Sequence, residues 1–383
     1  MAGLYIHIPY CRQKCHYCNF YSLASRKYRE LLPEALQQEM ILQKDYLTGE
    51  TLHTIYIGGG TPTVYPPQVI AEIILAATKQ FKTDARAEIN IEANPDDLLP
   101  DYLHQLRKTP VNRLSIGIQS FHDDDLHYLN RNHSAANAYQ AIRNALAAGF
   151  DNLNVDLIYG IPGLTDKKWG ENIKTVLDFH IPHISAYALT VEPGTALDKL
   201  INKKKLPPVE EQQAADQFVM LMEMMAAAGY EHYEISNFCK PGQYARHNTS
   251  YWQGISYLGI GPSAHAFDGR SRQWNVSNLE AWLQGIRSHK PAFEREILSP
   301  AQQLNEYVMT SLRTMWGTDL QTIQSRFGAG FRQMVLQQAA SFQKQGLVFI
   351  NEDIITLTQR GKLFADGIAA ELFVEDSEKT LPE

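Results

Sequence analysis

Short apolar runs that read as strands alternate with longer amphipathic stretches that read as helices. Leu4 to Ile8 is the first run. Tyr28 to Lys44 follows, with Leu31, Leu32, Ala35, Leu36, Met40 and Leu42 at near-helical spacing. His53 to Ile57, Ala87 to Ala93, Arg113 to Ile118, Asn152 to Ile158 and His183 to Leu189 predict the other strands. Pro67 to Phe81, Leu98 to Lys108, Ala135 to Ala148, Lys167 to Phe179 and Glu210 to Ala228 predict the other helices. Gly149 and Gly229 stand where a helix ends on a left-handed residue. Six strand–helix repeats over roughly 230 residues predict an α/β fold with a parallel sheet and right-handed crossovers. Six units are too few for a closed eight-fold barrel, so an open, partial barrel is expected, with its ligands at the carboxyl ends of the strands.

The rhythm changes near residue 295. Leu298 to Met315, Leu320 to Phe327 and Ala329 to Gln345 predict helices. Gly346 to Ile350 and Ile354 to Leu357 predict a hairpin around Asn351-Glu352-Asp353, and Thr358 to Leu372 a final helix. Residues 1–295 are therefore expected to form the partial barrel and 296–374 a small α+β domain resembling a winged helix. The polar tail, 375–383, is expected to lack order. Arg and Lys are not concentrated in Gln321 to Gln345, and the net charge is −7, so nucleic-acid binding is not expected. Lys203-Lys204-Lys205 reads as a solvated loop.

Composition changes this picture little. The chain has 383 residues, 44% hydrophobic and 20% charged, which is ordinary for a globular protein. No apolar run approaches the roughly 18 residues of a membrane span, and the first residues lack the pattern of a signal peptide. A cytoplasmic protein with reduced thiols is expected.

The four cysteines change it more. Three of them, Cys11, Cys15 and Cys18, fall within eight positions as C-x3-C-x2-C, immediately after the first strand. Close thiolates in a chain without a secretory signal point to metal ligation before disulfide bonding. Zinc with His7 or His16 as a fourth ligand is one alternative; a disulfide plus one free thiol is another. An iron–sulfur cluster on three thiolates leaves one iron open to a substrate or cofactor.

Unusual residues collect at the strand ends. Gly58-Gly59-Gly60-Thr61-Pro62 follows the second strand, where glycines let backbone approach a ligand closely; alone it would be a plain tight turn. Glu92 ends the third strand, Gln119 the fourth, Asp156 lies in the fifth, and Arg131 follows the fourth. A carboxylate suits ribose hydroxyls and arginine suits a carboxylate. A single such acid would read as a solvated edge, but the set reads as a site, with His133 a loop histidine nearby. Cys239 reads as an ordinary buried or loop thiol. His247-Asn248-Thr249-Ser250-Tyr251-Trp252 reads either as a binder of a flat ring or metal or as a packed aromatic cluster. Leu258 to His265 reads as a glycine-rich turn that closes over adenine.

The spacing C-x3-C-x2-C, with Tyr5-x-His7-Ile8-Pro9 before it and an aromatic after Cys15, resembles the radical S-adenosylmethionine (SAM) superfamily. The resemblance implies a [4Fe-4S] cluster on Cys11, Cys15 and Cys18, with SAM on the fourth iron and reductive cleavage to a 5'-deoxyadenosyl radical. Across residues 4 to 267 the stretches IHIPYCRQKCHYC, YIGGGTPT, IEANPDD, RLSIGIQSF, NVDLIYGIPG and LGIGPSAH resemble the oxygen-independent coproporphyrinogen III oxidase family. That resemblance implies SAM contacts at Tyr5, Gly59, Gly60, Thr61, Glu92, Gln119, Arg131 and Asp156, and one near His265. Two branches share the pattern. The decarboxylase branch carries a cysteine two residues after the third ligand and an N-terminal extension; here that position is Phe20, and ten residues precede Cys11. The haem-chaperone branch carries C-x3-C-x2-C-x-F and H-N-x-x-Y-W, as here. The resemblance therefore implies haem as ligand with His247 taking part, acceptor haemoproteins such as respiratory enzymes, an electron donor for the cluster, and at most peripheral membrane association. The alternative is oxidative decarboxylation of two propionates of coproporphyrinogen III.

Overall fold

A computed structural model describes residues 1–375; the tail expected to lack order lies outside the described residues from 376 onward. Six parallel strands form the centre in the order of the chain: β1 (Ala2–Ile8), β2 (Leu52–Gly59), β3 (Thr83–Ala93), β4 (Arg113–Gln119), β5 (Leu153–Tyr159) and β6 (His183–Ala188). One face of these strands is apolar and buried: Leu4, Ile6, Ile55, Ile57, Ile91, Ile116 and Val155 share it and are almost wholly inaccessible. The alternate positions, among them Tyr5, Tyr56, Glu92 and Asp156, put polar groups on the other face. Helices Leu32–Leu42, Pro67–Gln80, Pro100–Leu106, Ala135–Ala147 and Asp166–Asp178 cover one face, and Glu211–Ala227 packs at the end of the series.

The sheet grows at both ends in ways the pattern did not predict. Beyond β6 lie β8 (Asn237–Cys239), antiparallel to β6, and β7 (Glu231–Glu234), antiparallel to β8. Before β1 lies a seventh parallel strand, β9 (Tyr257–Ile260), paired with Gly3 to Ile6. It is followed by antiparallel β10 (His265–Phe267), β11 (Ser271–Asn275) and β12 (Phe293–Ile297). The stretch expected as a glycine-rich turn from Leu258 thus starts as a strand. Its four residues have no period of their own, and only pairing with β1, more than 250 residues away in sequence, makes it one.

Glu39 pins this added edge to the barrel. It is fully buried and accepts hydrogen bonds from the Gly261 N–H at 2.7 Å, Asn275 Nδ2 at 2.7 Å and Trp282 Nε1 at 3.1 Å. Burial raises its pKa to about 7, against the pull of these donors. A raised carboxyl pKa means the folded state holds its proton longer than the unfolded chain. This group therefore costs no stability below its ordinary range and an increasing amount as pH rises from about 4.5 toward 7. Glu39→Ala strands three buried donors. At about 1 kcal/mol or more each, it should lower the urea-unfolding free energy by roughly 3 kcal/mol. A loss under about 1 kcal/mol would mean the three donors find other partners.

The C-terminal residues build a second core around Leu304, Val308, Leu312, Leu320, Ile323, Val335 and Ile368. Helices Pro300–Leu312, Leu320–Phe327, Ala329–Lys344 and Ala365–Glu371 pack against a three-stranded sheet of Thr318–Asp319, Val348–Asn351 and Ile354–Leu357. The expected final helix is shorter, because residues 361–364 form a 3-10 turn. This domain is stitched to β7. Glu234 bridges Thr314, the Met315 N–H donates to the Tyr233 carbonyl at 3.0 Å, and Arg313 contacts the buried Glu234 carboxylate at 3.2 Å through both Nε and Nη2. No helix among the described residues is long and apolar enough to cross a membrane.

Candidate functional site

The register of the sheet assembles the site. Ile8 of β1 lies beside Gly59 of β2, so the cysteine loop leaves its strand next to the glycine-rich turn. Glu92 pairs with Ser115, Gly117 with Asp156, and Asp156 with Ser185. Two adjacent rows, Glu92–Ser115–Asn154–His183 and Gly117–Asp156–Ser185, therefore cross the strands near their carboxyl ends.

The loop is held from its far side. Gln13 Nε2 donates to the Asn130 carbonyl and to Asn130 Oδ1 at 3.0 and 2.9 Å, and Asn130 Nδ2 donates to the Lys14 carbonyl at 2.8 Å. The His16 N–H donates to the Leu129 carbonyl at 3.1 Å, and Arg12 pairs with buried Asp97 at 2.5 Å. Asn130 makes these bonds from a left-handed conformation, φ 57°, which asparagine adopts more readily than most residues.

Two of the thiols are linked by a chain of hydrogen bonds. Thr61 Oγ1 donates to Cys11 Sγ at 3.7 Å and accepts from Asn94 Nδ2 at 3.1 Å. Asn94 Oδ1 accepts from Arg131 Nη2 at 2.8 Å, and Arg131 Nη1 donates to Cys15 Sγ at 3.3 Å. Such donors stabilise thiolate charge and tune a bound metal. Burial pushes the Cys11 and Cys18 thiols up, which a bound cation would reverse. Among the described residues no three His, Cys, Asp or Glu side chains converge as ligands of one ion. The three thiols instead line one cavity of about 380 Å³, as suits a cluster in which each thiolate serves a different iron.

Gly59, Gly60, Thr61, Glu92, Gln119, Arg131 and Asp156 all line that same cavity. Glu92 accepts from Tyr56 Oη at 2.7 Å and from the Gly59 N–H at 3.0 Å; burial, with Asp156 nearby, raises its pKa to about 7. Asp156 accepts from Asn154 Nδ2 at 2.7 Å, and burial raises its pKa to about 6. Two partly buried acids with raised pKa values facing one cavity are what a ligand site, rather than a solvated edge, would present. Arg131 Nε is buried without a partner. Gln119 is held at φ 68°, a conformation that costs a residue other than glycine about 1 kcal/mol or more. Gly60 is a cradle: a Cβ there would meet the Tyr10 carbonyl oxygen at 2.6 Å and Cys11 Sγ at 3.0 Å. The orphaned guanidinium nitrogen, the two acids and the cradle fit a [4Fe-4S] cluster with a cationic, hydroxyl- and carboxylate-bearing cofactor such as SAM.

Three of the expected residues sit elsewhere. Tyr5, His247 and His265 line an adjoining cavity of about 530 Å³, which shares Asn19, Phe20, Tyr56, Gly59, Glu92, Tyr187 and Asn248 with the first. The Tyr5 hydroxyl is hydrogen-bonded to His7 Nδ1 at 3.0 Å. His247 has both ring nitrogens engaged, Nδ1 with Thr54 Oγ1 and Nε2 with Tyr251 Oη, each at 2.7 Å, and its ring stacks on Tyr56. An axial role for His247 requires breaking one of these bonds; as placed, it orients Tyr251. Cys239 is buried in β8 and does not line the cavity. Asn94, Asn130 and Tyr56 were not singled out in the sequence, although Asn94 ends a strand beside Pro95, where the other site residues also cluster.

The radical SAM superfamily profile matches residues 5–176, and the HemN C-terminal domain profile matches residues 298–364. The structure superposes with a TM-score of 0.84 on the radical SAM enzyme coproporphyrinogen III oxidase HemN from Escherichia coli, at 25% identity, covering 97% of this chain and 90% of that one. Fold and cysteine loop are thus those of the radical SAM class, with a HemN-type C-terminal domain. In sequence the chain is 33% identical over 372 residues to heme chaperone HemW of Bacillus subtilis, covering 96% of this chain and 98% of that protein. It is also 33% identical over 377 residues to heme chaperone HemW of Mycobacterium tuberculosis, covering 97% and 94%. A mitochondrial radical S-adenosyl methionine domain-containing protein 1 of Bos taurus is 30% identical, covering 97% and 87%. The chain belongs to the HemW family.

Proposed function

We propose that this protein is a haem chaperone: it binds haem, holds a [4Fe-4S] cluster with SAM, and passes haem to acceptor haemoproteins such as respiratory enzymes. The observation that carries the reading is its identity, along nearly the whole chain, to relatives named heme chaperone HemW. Phe20 adds to it. This residue is 65% exposed at the junction of the two cavities, where the decarboxylase branch carries a cysteine.

In this reading Cys11, Cys15 and Cys18 hold the cluster, and Arg131 and Thr61 hydrogen-bond its thiolates. The backbone of Gly59 and Gly60, with Thr61, faces the amino-acid end of SAM. Glu92, Gln119, Arg131 and Asp156 hold its remaining polar groups from the strand ends. Tyr5 and His265 stand one cavity further out, and His247 contributes to haem binding through Tyr251. A bound cluster supplies one-electron chemistry to SAM, so an electron donor is part of the reading. The work is placed in the cytoplasm, with membrane contact at most peripheral and no nucleic acid involved.

The test is a haem titration followed by a transfer assay. Anaerobic protein carrying its cluster should develop a saturable Soret band and then load haem onto an apo-haemoprotein faster than free haem does. Haem that never binds, or that leaves only at the spontaneous rate, would overturn the chaperone reading.

A further inference from the structure

A cavity of about 480 Å³ lies in the seam between the barrel and the C-terminal domain. One wall is Tyr251 and Trp252 from helix Arg246–Trp252, with Tyr257 and Phe267 from β9 and β10. The other is Tyr307 and Met309 from helix Pro300–Leu312. The space is thus faced on both sides by rings, the surface a flat macrocycle buries best. Trp252 Nε1 is buried here without a hydrogen-bond partner.

Two cations border the same space. Arg326 lies over the rings of Tyr307 and Phe327, at 5.8 and 5.0 Å from their centroids, and no carboxylate partner is recorded for it among the described residues. Arg272 is ion-paired with Glu306 and keeps further donors on its planar fork. Guanidinium groups are the preferred partners of carboxylates.

His265 stands at the mouth, shared by this cavity and the one beside the cluster site. Its ring stacks on Trp274 at 6.3 Å, and neither ring nitrogen has a hydrogen-bond partner among the described residues. It contrasts with His7 and His247, whose ring nitrogens are all taken. The side chain is exposed, and partial desolvation with the nearby Arg272 charge lowers its pKa, which favours the neutral ring that can bind a metal.

We propose that haem is held in this seam, with its iron on His265 and its two propionates toward Arg272 and Arg326. This rests on the haem reading above and assigns it a place. The three parts of the ligand meet three matching features: an apolar disc between aromatic walls, an iron that takes imidazole, and carboxylates that take guanidinium. Because one wall belongs to each domain, a small separation of the two opens the site along its length.

The test titrates haem into the full-length, cluster-loaded protein and into His265→Ala, His265→Gly and Arg326→Gln, with iron content and the response of the cluster to SAM measured in each. His265→Ala should shift the Soret band and weaken binding about tenfold or more, the scale of one lost ligand bond. Imidazole in solution should restore the parent spectrum in His265→Gly, which a merely structural residue would not do. Arg326→Gln should weaken binding several-fold in a salt-sensitive way and leave the Soret position unchanged. If the parent binds haem and His265→Ala binds it with the same spectrum and affinity, the seam assignment fails while the haem reading stands. The assignment also fails if His265→Ala alters only the response to SAM. If the parent binds no haem, both fall together.

Discussion

Serine in place of Cys11, Cys15 or Cys18 should abolish the cluster, and serine in place of Cys239 should leave it intact. The first three thiols share one cavity, and Cys11 and Cys15 are joined by the Thr61–Asn94–Arg131 chain. Cys239 sits in β8, beyond β6 at the far side of the sheet, and burial pushes its thiol up to about 12. A buried thiol kept protonated is a poor ligand. Iron and sulfide analysis of reconstituted protein, with the electron paramagnetic resonance spectrum after reduction, reads the result. About four irons per chain in the parent and in Cys239→Ser, against near none in the other three variants, is the expectation for a single four-iron cluster. Equal loss in the Cys239 variant would mean the ligand set is wrong.

The next largest effect is expected at Gly60. Adding one methyl group there places a Cβ 2.6 Å from the Tyr10 carbonyl oxygen and 3.0 Å from Cys11 Sγ. Tyr10 cannot step aside, because its carbonyl also accepts the Thr61 N–H at 2.7 Å, and the Gly60 N–H is itself bonded to the Ile8 carbonyl at 2.7 Å. Gly60→Ala should therefore move the cysteine loop against the glycine turn. We expect the change that SAM causes in the spectrum of the reduced cluster to be lost, with apparent affinity down by about tenfold or more, since overpacking a fixed site costs on the order of 1–3 kcal/mol. Gly367→Ala, in a helix with nothing within 4 Å of the new carbon, is the control and should behave as the parent. A normal response to SAM in Gly60→Ala would show that this turn does not contact the cofactor.

Much of this site could be read from the sequence because its parts announce themselves locally. The cysteine spacing needs no partner to be seen. Glu92, Gln119 and Asp156 follow or end apolar runs whose strand character is plain, and a parallel sheet brings strand ends together by construction. What escaped notice depends on contacts between distant segments. The four residues of β9 become a strand only beside β1. Asn130 grips the loop from 116 residues away, and no property of that asparagine alone foretells it. His247 reads in sequence either as a ligand or as part of a packed aromatic cluster, and only the fold supplies Thr54 and Tyr251 to its two nitrogens. His265, read as part of a turn over adenine, is lifted away from the cluster cavity by its place in β10.

An open barrel has a difficulty that a closed one lacks: it ends in two unpaired strands, each able to recruit a strand from another molecule. The two ends here are treated differently. At β12 the exposed sequence Phe293-Glu294-Arg295-Glu296-Ile297 alternates charge along the rim, which discourages edge-to-edge pairing. At β7 no such charge pattern is present, and the residues after helix Pro300–Leu312 lie against the strand instead. The C-terminal domain is thus a guard against self-association as well as a wall of the seam. A chain shortened before Pro300 would expose β7 and should precipitate or form sheet-linked multimers even with its cysteine loop intact.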